Sequence, residues 1–199
     1  MIESYKKVIN NLAKFSYKEI KEMNENQIVN IIKPLGLSNI RYKYIKSMIN
    51  FIECHHDLTS LSNEKLIELI VKNVTGASYK IAQCCVLYMK GYYESGIMPV
   101  DSGMKDILLP CLGFPVYKTA IGHDYLRKEL ENLTNNLDLK DIINKNGYSK
   151  LKILSTSNAT WWSHLVLIYF KRHFCNKHKP EECPLLKRTI KVSCKCRKK

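Results

Sequence analysis

Along most of this chain apolar residues recur at steps of three and four, the spacing that gathers them on one face of a helix. Ile2, Tyr5, Val8, Ile9 and Leu12 do so first. Ile20, Met23, Ile28, Ile31 and Ile32 follow less regularly, until Pro34 and Gly36 stop the pattern. A third run over 41–52 keeps Tyr44, Ile45, Met48, Ile49 and Ile52 together. Residues 57–62 predict a loop, and Ser62 opens a short helix that reaches Val71 before Gly76 breaks the pattern. A long apolar helix is expected over 79–92, carrying Ile81, Ala82, Cys85, Val86 and Met89. Gly91, Gly96 and Pro99 then mark a turn into Val100, Asp101 and Ser102. A helix with Met104, Ile107, Leu108 and Leu109 follows, ended by the stretch between Pro110 and Pro115, and two more are predicted over 123–133 and 159–174. No strand alternation persists long enough to build a sheet, so the predicted fold class is all-α.

Composition adds charge and cysteine to this picture. A chain of 199 residues, 45% hydrophobic and 25% charged, suits one globular domain or one domain split into two lobes. No apolar run approaches a membrane span and the opening residues lack a signal-peptide core, so an intracellular protein with no membrane partner is expected. Lys and Arg number 32 against 18 acids, a net +14 that favours polyanions through counterion release. From Lys171 onward eleven Lys or Arg face two acids, so the tail alone carries +9. Of eight cysteines, Cys54, Cys84, Cys85 and Cys111 lie in apolar surroundings and read as small buried side chains. Cys175, Cys183, Cys194 and Cys196 crowd into the tail, where, without a secretion signal, they suggest a metal before disulfides.

The stretch with the most chemistry runs over 73–82. A helix ends, the chain turns at Gly76, and a new helix starts near Ser78. First-turn amides at such a start are free to bind a phosphate, which makes Thr75, Gly76, Ala77, Ser78 and Tyr79 candidate DNA contacts. Lys80 then falls in the first turn of an otherwise apolar helix, and Asp101 stands just before another helix start. Read from the residues alone, Lys80 is a snorkelling surface lysine and Asp101 a helix N-cap.

Together these segments resemble the endonuclease III-like branch of the helix-hairpin-helix DNA glycosylases. Residues 74–82, Val-Thr-Gly-Ala-Ser-Tyr-Lys-Ile-Ala, lie without a gap over that family's hairpin, Leu-Pro-Gly-Val-Gly-x-Lys-Thr-Ala. Val100-Asp101-Ser102-Gly103 resembles its Val-Asp-Thr-His, and Leu112-Gly113 its following Leu-Gly. Upstream, residues 32–37 with Lys43 and Ile45 match Ile-x-x-x-Gly-Leu followed by Lys-Ala-x-x-Ile. Near the end, 164–168 before Cys175 resemble His-x-Leu-Ile-x-His-Gly-x-x-x-Cys. The matches keep their order and cover 24–185.

The resemblance implies a two-lobed helical fold acting on double-stranded DNA, nucleoid- or nucleus-associated, as a monomer. A damaged or mismatched base would be flipped out between the lobes. Lys80 would displace it by attack on the sugar, leaving a Schiff base and then a nicked strand. Asp101 would stabilise the sugar cation. Burial beside apolar helix residues and the helix dipole are expected to supply a neutral Lys80 amine. The implied organisation is a lobe over 1–120 with the hairpin at about 66–90, second-lobe helices over 121–174, and a basic cysteine-rich tail over 175–199. The resemblance also implies a structural 4Fe-4S cluster on Cys175, Cys183, Cys194 and Cys196, with zinc or no metal as the alternatives.

The chain departs from the pattern at several points. Ser78 replaces the second hairpin glycine, Val74-Thr75 the Leu-Pro, and Gly103 the histidine after the aspartate. The cysteine spacing differs from the family's, and its opening Leu-Leu-Ser-x-Gln stretch has no counterpart, which implies an N-terminally shortened member. A reading from a different class therefore stands beside the enzyme: a non-catalytic helix-hairpin-helix DNA-binding or partner subunit.

Overall fold

The computed structural model describes residues 2–91, 95–148, 159–175 and 180–187. Among these the regular structure is helical, with no strand, as the apolar spacing predicts. By contacts the chain divides into two compact units, one made of 1–61 with 68–77 and the other of 62–67 with 78–199.

The first unit holds α1 (Ile2–Leu12), α2 (Tyr17–Glu22), α3 (Glu25–Ile32) and α4 (Ser38–Cys54), with the later part of α5 (Asn63–Asn73). The single irregular segment read over 20–32 is two helices. Asn24 explains the break: its side chain accepts from the Gln27 amide at 3.0 Å while Gln27 returns the bond to the Asn24 amide at 2.9 Å, a reciprocal cap that starts α3. Ser16 and Glu19 start α2 in the same way. Lys46 donates to the Lys21 and Met23 carbonyls at 2.6 and 2.8 Å, satisfying acceptors that the end of α2 leaves open. Val8, Met23, Ile28 and Ile32 form the core, with Leu12, Ile31, Leu35, Tyr42 and Ile45 packed on it.

The second unit takes the start of α5, then α6 (Tyr79–Lys90), a π-helical turn (Met104–Leu108) running into α7 (Leu109–Cys111), α8 (Gly122–Thr134), α9 (Leu139–Lys145) and α10 (Ala159–Phe170). A second π turn, Lys171–Cys175, continues α10, and α11 (Pro184–Lys187) closes the described chain. The apolar reading ran α6 on to residue 92, but the helix stops at Lys90, where Gly91 turns at φ +86°. The short α9 escaped it, since seven residues starting at the Asp138 cap are too few for a periodic pattern.

Met98, Val100, Met104, Leu109, Leu126 and Leu130 are the core here, joined by Phe114, Tyr117, Leu167 and Ile168. Polar side chains thread it. The extended segment through Met98 and Val100 has no strand partner, so its backbone groups bond to buried side chains instead. Met98 donates to Glu131 at 2.9 Å and Val100 to Gln83 at 3.1 Å, while the Val100 carbonyl accepts from His123 Nδ1 at 2.7 Å. That last bond fixes the histidine tautomer. No helix among the described residues is long and apolar enough to cross a membrane.

Candidate active site

Gly76 turns at φ +77°, in the left-handed region where glycine is favoured. The ring of Tyr44 covers it so closely that a Cβ would lie 2.0 Å from Tyr44 Cε1. Beside it the Thr75 amide donates to the Ser47 hydroxyl at 2.8 Å and the Ala77 amide to the Val74 carbonyl at 3.0 Å. Two of the hairpin amides expected to be free are thus engaged within the chain. Ser78 begins α6 as its N-cap, accepting from the Ile81 amide at 3.4 Å. Among the described residues the first-turn amides of Tyr79 and Lys80 have no intrachain acceptor, as a helix start dictates.

Lys80 is exposed. This corrects the expectation that apolar neighbours bury it: α6 buries Ala82, Gln83, Val86 and Leu87, while Lys80, the second residue of its first turn, stays open to solvent. Its charge nevertheless reaches several groups of the second unit, Cys85 among them. It pulls down the Cys84 thiol, which burial pushes up on balance, and it acts on Asp101 and His164.

Asp101 is the better anchored of the pair. Its Oδ1 accepts from the Met104 amide at 2.8 Å, so it does cap the helix start, and its Oδ2 pairs with Lys171 Nζ. Burial raises this carboxyl, but the Lys171 hydrogen bond, the Met104 amide and the charges of Lys171 and Lys80 outweigh it and hold Asp101 below the ordinary aspartate value. The carboxyl is 28% exposed and the Lys171 side chain only 8%, so a lysine buried against the core is what keeps a half-open carboxylate ionised. His164, on α10 seven residues before Lys171, has Nδ1 buried without a hydrogen-bond partner and stacks on Trp161 with ring centroids 5.7 Å apart. Burial above all, with the charges of Lys80, Lys171 and Arg172 and against that of Asp101, pushes it down to about 4. It is neutral near pH 7.

No known protein family, curated protein or solved structure matches this chain. What the site can do therefore rests on its own chemistry: an exposed amine, an ionised carboxylate fixed by two donors, and a neutral imidazole.

Lys171 is the residue that sequence reading missed. It lies 70 positions from Asp101, at the end of an apolar stretch and beside Arg172, where it reads as the first charge of the basic tail. A signal existed in Gly103. A Cβ there would come within 2.9 Å of Lys171 Cδ and 3.3 Å of its Nζ, so the small residue clears the path of the lysine stem. Only contact across the fold reveals the match.

Deeper in the same unit Arg127 is fully buried. Its Nε donates to Asp124 at 2.9 Å, its Nη1 to Glu131 at 2.5 Å, and its Nη2 lies 3.6 Å from Glu64, an ion-pair distance too long for a hydrogen bond. Burial, opposed by Arg127 and the Met98 amide and helped by the neighbouring acids, pushes Glu131 up to about 7. Asp124, which Arg127 and Lys128 both bind, is held below the ordinary aspartate value against its burial, while Glu131 shares the same guanidinium and is not. This network is scaffold: it fixes the segment leading to Asp101.

Of the four tail cysteines, Cys175 and Cys183 are buried side chains, and the turn Pro180–Glu182 packs on the π turn that ends at Cys175. Cys194 and Cys196 lie outside the described residues. Among the described residues no three His, Cys, Asp or Glu gather as a metal-binding group. The described chain thus offers two buried thiols, half of the donor set a cluster requires.

Proposed function

We propose that this chain is a DNA glycosylase with abasic-site lyase activity, of the endonuclease III-like helix-hairpin-helix kind, with Lys80 as nucleophile and Asp101 as its charged partner. One observation carries the reading. An exposed lysine in the first turn of α6 shares its electrostatic surroundings with an aspartate that its neighbours hold ionised. The two come from elements separated by a glycine-marked turn, as the resemblance implies. In this reading the unengaged amides at the start of α6 and the +14 net charge supply phosphate contacts that position DNA without reading sequence.

The chemistry follows from these groups. Lys80 Nζ, as the free amine, forms a bond to the sugar C1′ while the C1′–base bond breaks, and the base leaves with the bonding pair and takes a proton. Asp101 opposes the positive charge that grows on the sugar in this step. Ring opening gives the protonated Schiff base. Loss of a 2′ proton to a base then expels the 3′ phosphate and cleaves the strand. DNA closing over the exposed Lys80 excludes water that the free protein leaves in place.

Borohydride reduction on abasic-site duplex tests the reading. Wild type forms a covalent protein–DNA adduct and Lys80→Ala forms none. An adduct undiminished in that variant removes Lys80 from the mechanism. Asp101→Asn reduces base release from a lesion-bearing duplex by about 10²–10³-fold, the usual effect of deleting a group that stabilises transition-state charge. Base release from a panel of lesion-bearing duplexes then identifies the substrate.

The second reading, a DNA-binding or partner subunit without chemistry, has its own support: Asp101 has both oxygens engaged and two hairpin amides are taken. It predicts salt-dependent binding with neither adduct nor nick. We further propose that Cys175, Cys183, Cys194 and Cys196 hold a structural 4Fe-4S cluster, which iron and sulfide analysis with absorption near 400 nm would register. Bound zinc, or no metal, would replace that assignment.

A further inference from the structure

We propose that Lys171 is a positioning residue for Asp101, locking one carboxylate oxygen so that the group stays ionised and aimed while the other oxygen caps the helix start. This inference rests on the reading of Asp101 as the charged partner in glycosylase chemistry, and it names a residue that reading does not require.

Three observations converge on it. First, both Asp101 oxygens are committed, Oδ1 to the Met104 amide at 2.8 Å and Oδ2 to Lys171, so the carboxyl cannot rotate without breaking a charge-assisted bond. Second, the lysine reaches the site through a notch at Gly103, where a Cβ would fall 2.9 Å from its stem. A lysine that merely filled space would not need its stem threaded beside the residue two positions after Asp101. Third, Asp101 caps the helix start that runs into the π-helical turn Met104–Leu108, and Lys171 lies in the π-helical turn Lys171–Cys175, which packs against it. Such turns cost regular hydrogen bonding and recur at functional sites. The second π turn begins at Lys171 itself.

Burial raises the Asp101 carboxyl, and the groups that face it oppose or support that effect. Lys171 and the Met104 amide bind it directly, Lys80 acts from α6, and His164 on α10 and Cys84 on α6 feel its charge in return. Lys80 is exposed and therefore screened by solvent. The buried ammonium of Lys171 is the stronger hold. Without it, burial dominates and Asp101 takes up a proton at higher pH, losing the negative charge the sugar cation needs.

The test uses the full chain and three variants, Lys171→Met, Lys171→Arg and Gly103→Ala, in two measurements. The first follows the Asp101 carboxyl by carbon NMR against pH in the absence of DNA. In Lys171→Met its titration midpoint moves up, and in Lys171→Arg, which keeps the charge, it stays near wild type. Gly103→Ala, which crowds the lysine stem, moves it up partway and keeps the test in hand should the methionine variant fail to fold. A midpoint unmoved by Lys171→Met or by Gly103→Ala overturns the proposal. The second measurement is the pH profile of borohydride trapping on abasic-site DNA. Lys171→Met loses adduct at least about tenfold at the acid end and little at the alkaline end, as expected when a group of fixed geometry changes its protonation state. A uniform loss at every pH marks a structural role and overturns it as well. If wild type forms no adduct while the carboxyl midpoint still moves, the glycosylase reading fails and the Lys171–Asp101 lock survives as a structural fact. The two failures are therefore distinguishable.

Discussion

The two units solve the same problem with different materials. In the first, the buried side chains are apolar: Val8, Met23, Ile28, Ile32, Ile49, Phe51, Leu58, Ile70 and Val74. Each buried polar or charged side chain among the described residues, from Gln83 and Ser95 through Arg127 and Glu131 to Lys171, belongs to the second. A core of hydrocarbon needs only shape and area. A core threaded with charge must satisfy every group it buries, because an unpaired one costs several kcal/mol. The second unit accepts that burden where an extended segment has no strand partner and where Asp101 needs a counter-charge.

The sharpest way to break this comparison is Arg127→Leu. It strips the counter-charge from Asp124 and Glu131 and is expected to cost about 3–5 kcal/mol, the usual result of removing one partner from a buried ion pair. Adding Glu131→Gln should return part of that loss, since it deletes a carboxylate left without its cation. No return would mean that packing, and not charge, is what Arg127 supplies. The apolar counterpart is Ile28→Ala, with an expected cost of about 2–4 kcal/mol from transfer and cavity terms and no dependence on pH. Both tryptophans, Trp161 and Trp162, lie in the second unit, so fluorescence follows that unit while far-ultraviolet circular dichroism follows both. A fluorescence midpoint lowered by Arg127→Leu and untouched by Ile28→Ala would show that the units unfold separately.

The pH response sharpens the contrast further. Glu131 holds its proton up to about 7 in the folded chain but releases it near 4.5 when unfolded, so between those values its contribution falls as pH rises. His164 runs the other way. Folded it protonates only near 4, unfolded near 6.5, so stability is lost as pH falls through that window. Each effect is on the order of 3 kcal/mol, and over the shared range they oppose each other. Wild type should therefore show little change between about pH 4.5 and 6.5 from these groups. His164→Phe should leave a stability that declines as pH rises, and Glu131→Gln one that declines on acidification. Matching slopes in both variants would refute the opposition.

Smaller effects belong to the first unit. Gly76→Ala combines a left-handed backbone with a clash against the Tyr44 ring and should cost about 1–3 kcal/mol. Adding Tyr44→Ala should relieve the clash and leave the backbone cost. The Lys21–Glu53 pair is exposed on both sides, and Lys21→Met should leave the thermal midpoint almost where it is. A loss as large as that of Arg127→Leu would overturn the distinction between surface and buried charge.

Much of the helical architecture was legible from residue order. α1 falls over the predicted span, α4, α5, α8 and α10 close to it, and the caps at Ser78 and Asp101 follow from polar residues placed before helix starts. Such features are local: hydrophobic spacing and a side-chain oxygen three residues from an amide need no tertiary contact. The break at Asn24 was equally local and was missed because apolar residues run across it. Lys80 is exposed although its neighbours in sequence are apolar, because it stands in the first turn of α6, before the part of the helix that is buried.

By itself, then, the sequence determined an all-helical chain, the hairpin glycine, the positive charge and the candidate pair Lys80 and Asp101. Tertiary structure alone decided that Tyr44 covers Gly76, that Arg127 sits fully buried among three acids, and that Lys171 reaches Asp101 past Gly103. The reason is physical. Helix formation and capping act over a few residues, whereas the charge state of a carboxyl depends on what the fold brings within a few ångströms, however far apart the groups lie along the chain.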